Sequence, residues 1–472
     1  MATGNRHEYK GKNVLIVGLG KSGVAATEYM SSLGANISVC DARDIANEDA
    51  QEAGRLRHLG ARAFLNGETP PADGWDFVIV SPGVPPNLPF IEAAVAAGAR
   101  LTGDLELAYE LDRGVFIAIT GTNGKTTVTA LVGEIFREAG IDSAVTGNIG
   151  EPVILAALAA GKRRVLVTEV SSFQLETTTR FRPKISALLN ITPDHLDRHV
   201  NMENYGAIKA KVFANQRRDD CLIFNADDET VVRLTKTCAA TLVPFSRTRV
   251  LPCGAFVEDG QIVLARGDGE TRSLIRVADL RIPGDHNLEN ALAAAAIAHW
   301  GGVDAEAIAR TLASFKGVAH RMEYVGEVDG VRFVNDSKGT NPDAAGRAID
   351  ASDPNILLIA GGYDKHADFR PFIRRFNGKV SKLLLLGQTA ETIRRAAEEE
   401  GFHRATICGG MEECVERAFE SARPGDTVLL SPACASWDMY RCFEERGEHF
   451  KRVVEALRRR EDGGRTSKRR EE

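Results

Sequence analysis

Two glycine-rich loops, each set between a short apolar run and a helical pattern, constrain the fold of this chain more than any other feature. The first, Val14–Gly23, reads VLIVGLGKSG and contains Gly18-x-Gly20-x-x-Gly23. The second, Ile119–Thr127, reads ITGTNGKTT and follows the apolar run VFIA. A strand that passes through a tight glycine turn into a helix aims backbone N–H groups and the positive helix end at one spot, which suits a phosphate. The same order requires crossover connections and therefore parallel sheets.

The rest of the chain keeps the strand–helix alternation. Val14–Val17, Ile37–Cys40 and Phe77–Val80 read as buried strands of a first segment, with the Pro-rich loop Ser81–Pro89 after the third. Val115–Thr120, Val165–Val170, Ile185–Asn190 and Cys221–Phe224 read as strands of a second, with hairpins added over Thr241–Ile275. After the Ala-rich helix Leu288–His299, a third segment offers Arg332–Val334, Asn355–Ala360, Lys382–Leu386 and Thr427–Leu430. The 472 residues fit about three domains at roughly 150 each. The expected α/β architecture is a Rossmann-like domain over 1–105, a central P-loop ATPase-like domain over 106–317 and a second Rossmann-like domain over 318–460. A charged stretch from Arg458 holds seven basic and four acidic residues and no apolar ones. Residues 461–472 therefore read as a disordered tail beyond a frayed helix end.

Composition excludes several classes. A net charge of −6 argues against nucleic acid as the main partner. No apolar run reaches the roughly 20 residues of a membrane-spanning helix. The N-terminal MATGNRHEYKGK lacks the apolar core of a signal peptide, so a cytoplasmic protein without membrane insertion is expected. The eight cysteines are scattered without a CxxC pair, which points to free, mostly buried thiols.

Read alone, the first loop is the dinucleotide fingerprint, with Asp41 standing 18 residues past Gly23 for a ribose. A nicotinamide dehydrogenase would use it, but would leave the second loop without a purpose. There Gly121, Thr122, Asn123, Gly124, Lys125, Thr126 and Thr127 form a P-loop in its required context, although Ile119 stands where the first glycine of the usual pattern falls. Lys125 supplies charge, and the Thr126 hydroxyl suits Mg²⁺. Polar residues close the neighbouring strands. Glu169 precedes Ser171-Ser172-Phe173-Gln174, and Asn190–His199 reads NITPDHLDRH. The C-terminal edge of a parallel sheet carries ligands, so Glu169 is a candidate Mg²⁺ ligand. His195 and His199 are spaced as on a zinc helix, but the H-E-x-x-H glutamate is absent, and Asp194 and Asp197 favour a hard metal or phosphate.

Taken together, GTNGKTT, EVSSFQ, NITPDHLDRH, Lys209 in AIKAKVF, GDHNLENALAA, His320-Arg321 and NDSKGTN resemble the Mur ligases, the ATP-dependent amide-forming enzymes of peptidoglycan precursor synthesis. The resemblance covers the chain except its tail. Gly361–Phe369 and Leu429–Phe450 are similar to the branch that adds D-glutamate to UDP-N-acetylmuramoyl-L-alanine (UDP-MurNAc-L-Ala). The branch adding L-alanine is the alternative.

The resemblance implies ATP, one or two Mg²⁺ ions and an acyl-phosphate route, with Lys125, His195 and Lys209 catalytic. It places Thr126, Glu169, His195 and a CO₂-derived carbamate on Lys209 at the metal. ATP would also meet Asn290, Arg321, Asp336 and Lys338. Gly18, Gly20, Lys21, Ser22 and Gly23 would hold the UDP diphosphate, with Asp41, Ser81, Pro82 and Gly83 around the uridine. Asn148, Ser172 and Gln174 would line the muramoyl-alanyl part, and Thr340, Lys365, Ser436 and Phe443 the D-glutamate. Ligands spread over three segments imply domain closure, and a monomer is expected. A non-catalytic nucleotide-binding regulator is the remaining alternative; it would tolerate loss of Lys209 or of the glutamate-pocket residues.

Overall fold

Runs of four to six apolar residues without alternation are what a parallel sheet covered on both faces requires, and they form the centres of three sheets in this computed structural model. The structure describes residues 8–43, 54, 56, 58–111, 113–282, 284–363 and 367–471. The chain divides into two compact units, Met1–Phe315 and Lys316–Glu472.

The first unit holds two sheets. β1 (Asn13–Val17), β2 (Asn36–Cys40), β3 (Arg62–Phe64), β4 (Phe77–Val80) and β5 (Arg100–Gly103) are ordered β3-β2-β1-β4-β5, all parallel. The strand order reverses on either side of β1, so the Gly18–Gly23 loop leaves the sheet at its switch point. The central sheet comprises β6 (Val115–Thr120), β7 (Ser143–Gly147), β8 (Val165–Glu169), β9 (Ile185–Leu188), β10 (Cys221–Asn225), β11 (Thr241–Ser246), β12 (Cys253–Glu258), β13 (Gln261–Arg266) and β14 (Thr271–Arg276). Its order is β14-β13-β12-β11-β10-β9-β6-β8-β7. β6 lies between β9 and β8, which puts the second glycine loop at this sheet's own switch point. The region expected to be hairpins is partly different: β11 continues the parallel sheet beside β10, and only β12–β13–β14 form an antiparallel meander. One apolar cluster runs from Val14, Ile16 and Met30 through Leu105 and Ala108 to Ala156, Leu166 and Leu188, joining the two sheets.

In the second unit, β15 (Glu323–Val328), β16 (Val331–Asn335), β17 (Ile356–Ala360), β18 (Val380–Leu385), β19 (Ala405–Ile407) and β20 (Thr427–Leu430) are ordered β15-β16-β20-β17-β18-β19. Only the β15–β16 pair is antiparallel. The helix Phe443–Glu471 carries the backbone on through most of the stretch that composition reads as a disordered tail, with Arg458 and Arg459 paired to Glu455 on its surface. All eight cysteines are free and five are buried.

Candidate active site

The second glycine loop is shaped by close packing. Gly124 is the left-handed N-cap of the helix Lys125–Glu138, with φ +81°, and a Cβ there would lie 2.2 Å from Asn290 Oδ1. Only glycine fits that cradle. Asn290, expected at the nucleotide, thus sits against the loop from the helix Asp285–Trp300. The loop is pinned from the opposite strand end. Thr122 N donates to Asn190 O at 2.9 Å, Asn123 N to Asn190 Oδ1 at 2.8 Å, and Thr122 Oγ1 to Thr192 O at 3.1 Å. Lys125 Nζ lies across the loop mouth, donating to Gly121 O at 2.9 Å and Thr122 O at 2.6 Å. Thr126 is buried beneath it, and Thr127 is half-buried.

β8 pairs with β6 in a register that sets Glu169 beside Ile119, one strand from the loop. Glu169 is 1% exposed. Its Oε1 accepts from Asn148 Nδ2 at 2.9 Å, while Oε2 is buried without a hydrogen-bond partner among the described residues. A buried carboxylate oxygen without a donor is costly, and a hard cation is the partner that such an oxygen suits. The residues present therefore fit Mg²⁺.

Lys209 is 1% exposed at the end of the helix Met202–Ala210. Its Nζ donates to Gly121 O at 2.8 Å and lies 4.8 Å from the Tyr205 ring centroid. Burial, and secondly the Lys125 ammonium, hold Lys209 well below the ordinary lysine range, against the pull of Asp194 and Glu169. His195 starts the short helix Leu196–His199 in a left-handed conformation, φ +51°. Its ring is half-exposed, 4.8 Å from the Phe173 ring and with Nε2 3.5 Å from Asp194 Oδ2. His199 differs: it is buried, shares a 3.0 Å hydrogen bond with Ser172 Oγ, and is shifted down by burial. The zinc-like spacing of the two histidines thus places them in separate environments.

At the first glycine loop, a Cβ on Gly23 would lie 1.8 Å from Gly18 O, so the helix start presses on the turn. Ser81 Oγ donates to Gly18 O at 2.7 Å. Gly20 and Lys21 are exposed at the loop, with Pro82 and Gly83 beyond Ser81 on the adjoining strand end. Asp41 closes β2, and its Oδ2 accepts from Leu19 N at 2.6 Å and from Arg43 Nη2 at 3.1 Å. The Ser22 and Gln174 side chains, expected at the substrate, both turn to Asp104.

In the second unit, Asp336 follows β16, accepting from Ser431 Oγ at 2.7 Å and from Met322 N at 3.3 Å. Burial raises it to about 6, against those hydrogen bonds and the neighbouring Arg321. Lys338 N donates to His320 O and Thr340 N to Lys338 O, making a tight turn of Asp336–Thr340. Ser436 is buried, and Phe443 O accepts from Ser337 Oγ at 2.8 Å. Lys365 lies outside the described residues.

Sequence patterns gave no sign of Arg446. It is 1% exposed, donating to Ser337 O, Ser337 Oγ, Cys434 O and Ala435 O at 2.9 to 3.2 Å, and burial brings it down to about 10. It ties the turn bearing Thr340 to the loop bearing Ser436. Tyr205 was also missed; it lies between Thr122 Oγ1, at 3.3 Å from its hydroxyl, and the His199 ring, at 5.3 Å.

Comparison with known proteins accords with this geometry. Residues 12–103 match the family described as Mur ligase MurD-like, N-terminal domain; 119–298 the Mur ligase middle domain; and 320–434 the Mur ligase glutamate ligase domain. The UDP-N-acetylmuramoylalanine–D-glutamate ligase of Thermoanaerobacter pseudethanolicus is 47% identical over 461 residues, spanning 96% of this chain and 100% of the relative. That of Clostridioides difficile is 46% identical over 453 residues, again 96% of this chain and 100% of the relative. Among solved structures, a UDP-N-acetylmuramate–alanine ligase from Thermotoga maritima superposes with a TM-score of 0.52 at 20% identity, over 94% of this chain and 100% of that one. A pseudomurein peptide ligase type C from Methanothermus fervidus also gives 0.52, at 18% identity over 94% and 100%. With three family domains in order along the chain and relatives of matching length, the chain belongs to the Mur ligase family.

Proposed function

We propose that this chain is an ATP-dependent ligase that joins D-glutamate to UDP-MurNAc-L-Ala in peptidoglycan precursor synthesis. The observation that carries the reading is the buried, half-partnered carboxylate of Glu169 one strand from the Gly121–Thr127 loop. The D-glutamate ligases that match over the whole chain support the choice of substrates.

In this reading the loop N–H groups and Lys125 bind the ATP phosphates, with Asn290 beside them. Thr126 and Glu169 hold one Mg²⁺, and His195 and Lys209 help hold a second. The metal supplies charge cancellation, without which the substrate carboxylate and the γ-phosphate repel. Lys209 suits modification by CO₂ because its environment favours the neutral amine, the form that adds to CO₂ and releases a proton as the carbamate forms. A carbamate turns a cation near the metal into an oxygen ligand.

The alanyl carboxylate attacks the γ-phosphorus, the bond to the β-phosphate oxygen breaks, and ADP leaves. The amine of D-glutamate, after losing a proton, attacks the acyl carbon, and inorganic phosphate departs as the amide forms. Residues 1–105 hold the UDP moiety through Gly18–Gly23, Asp41 and Ser81–Gly83. Asn148 and Ser172 line the muramoyl-alanyl part, while the Gln174 amide is turned to Asp104. Residues 106–317 hold ATP, and residues 318–460 hold D-glutamate through Thr340, Lys365, Ser436 and Phe443. Arg321, Asp336 and Lys338 serve the nucleotide. The reading includes a cytoplasmic monomer.

Mass spectrometry of the product tests it. Incubation with ATP, Mg²⁺, UDP-MurNAc-L-Ala and D-glutamate yields the UDP-MurNAc-dipeptide in equal amount to ADP. ADP without dipeptide would overturn the proposal.

A further inference from the structure

The junction between the first sheet and the central one carries a buried carboxylate with no part in the chemistry above. Asp104 follows β5 directly, opens the helix Asp104–Glu110 and is 3% exposed. The backbone there is pressed close: a Cβ on Gly103 would lie 2.2 Å from Thr177 Oγ1. Asp104 Oδ2 accepts from Ser22 Oγ at 2.8 Å and from Gln174 Nε2 at 3.3 Å. Oδ1 lies 3.5 Å from the same Nε2.

Both partners matter. Ser22 is in the first turn of the helix after Gly18–Gly23. The Gln174 amide is fixed at both ends, because its Oε1 accepts from Ser171 N at 3.1 Å in the capping box of the helix Ser172–Glu176. The next residue in line, Ser172, bonds to His199. A polar chain, buried at Asp104 and Gln174, therefore runs from the first glycine loop to the turn behind Glu169. Burying a carboxylate among neutral donors is expensive, and apolar packing would hold the junction at lower cost. What the carboxylate adds is direction: it accepts from the Ser22 hydroxyl at the helix start, and it turns the Gln174 amide.

We propose that Asp104 is a positioning residue that locks the diphosphate-binding helix start and the Ser171–Gln174 turn in one register, fixing the two ends of one elongated substrate. The identity of that substrate rests on the function proposed above; the lock itself does not.

A swap of carboxylate and amide tests it. In Asp104→Asn, either orientation of the new amide sets its N–H₂ within 3.5 Å of another donor, Gln174 Nε2. In Gln174→Glu, two carboxylates meet. In the double variant the amide oxygen introduced at position 104 accepts from Ser22, and its N–H₂ donates to the carboxylate introduced at position 174. That carboxylate still accepts from Ser171 N. Each single variant raises KM for UDP-MurNAc-L-Ala about tenfold or more, with KM for ATP within about twofold, and the double variant returns to within about threefold of the original. A role in stability alone gives additive losses and no selective KM effect, which would overturn the proposal. Hydrogen exchange of the Ser171–Glu176 amides in the ligand-free protein reads the same cycle without turnover. Protection falls in each single variant and recovers in the double; unchanged protection in the single variants would overturn the lock. An unaltered protein that fails to make the dipeptide refutes the proposed function, and the exchange cycle then decides the lock by itself.

Discussion

Asn148 Nδ2 donates to Glu169 Oε1 at 2.9 Å, and this bond holds the carboxylate by one oxygen while Oε2, buried with it, has no hydrogen-bond partner among the described residues. A buried acceptor in that position costs about 1–3 kcal/mol. Glu169→Gln keeps the acceptor for Asn148 and removes the charge. Thermal denaturation without metal should show stability unchanged or raised by about 1 kcal/mol, while kcat falls at least about 100-fold because a cation ligand is gone. Loss of stability together with activity would make Glu169 a structural residue.

Lys209 offers a chemical rescue. Lys209→Ala should fall below about 1% of the original activity, and short carboxylic acids that fill the vacated space should restore part of it, since the carbamate acts as an oxygen ligand. Steady-state rates with and without added acid check this. Full activity in Lys209→Ala would remove the residue from the metal site.

Gly124→Ala places a methyl 2.2 Å from Asn290 Oδ1 at φ +81°. Strain of about 1–3 kcal/mol should shift the loop and raise the Kd for ATP at least about tenfold. Calorimetric titration measures this. An unchanged affinity would show that the cradle is not the nucleotide site.

Asp336 gives a pH signature. Burial raises it from 3.8 to about 6. The folded state keeps this proton where the unfolded chain has already released it, so the contribution to stability is full below 3.8 and is lost as pH rises through about 6. The second unit should lose up to about 3 kcal/mol between pH 4 and 7 from this group. Asp336→Asn should remove that slope. Hydrogen exchange of β16 and β20 amides, corrected for intrinsic rates, checks it; equal slopes in both proteins would contradict the assignment.

The interior strands were legible because burial on both faces leaves unbroken apolar runs, and β1, β6, β8, β17 and β20 fall within a residue of their expected positions. The strands missed, β3, β5, β7, β15 and β19, all lie at sheet edges. An edge strand is covered less and carries polar residues, as in SAVTG of β7 and EYVGEV of β15, so its pattern is weak. The site divides in the same way. Lys125 and Glu169 were readable because glycine loops and strand ends mark where ligands meet a parallel sheet, whereas Lys209, on the helix Met202–Ala210, was singled out only through the resemblance to the Mur ligases. Asp104 and Arg446 were not, since nothing local distinguishes a buried charge from a solvated one; only the fold brings Ser22 and Gln174, or Ser337 and Cys434, around them.

Phosphate release from ATP, measured with each substrate left out in turn, tests the central claim most directly. Release should occur only when UDP-MurNAc-L-Ala and D-glutamate are both present with Mg²⁺. Release supported by UDP-MurNAc and L-alanine, and not stimulated by D-glutamate, would contradict it.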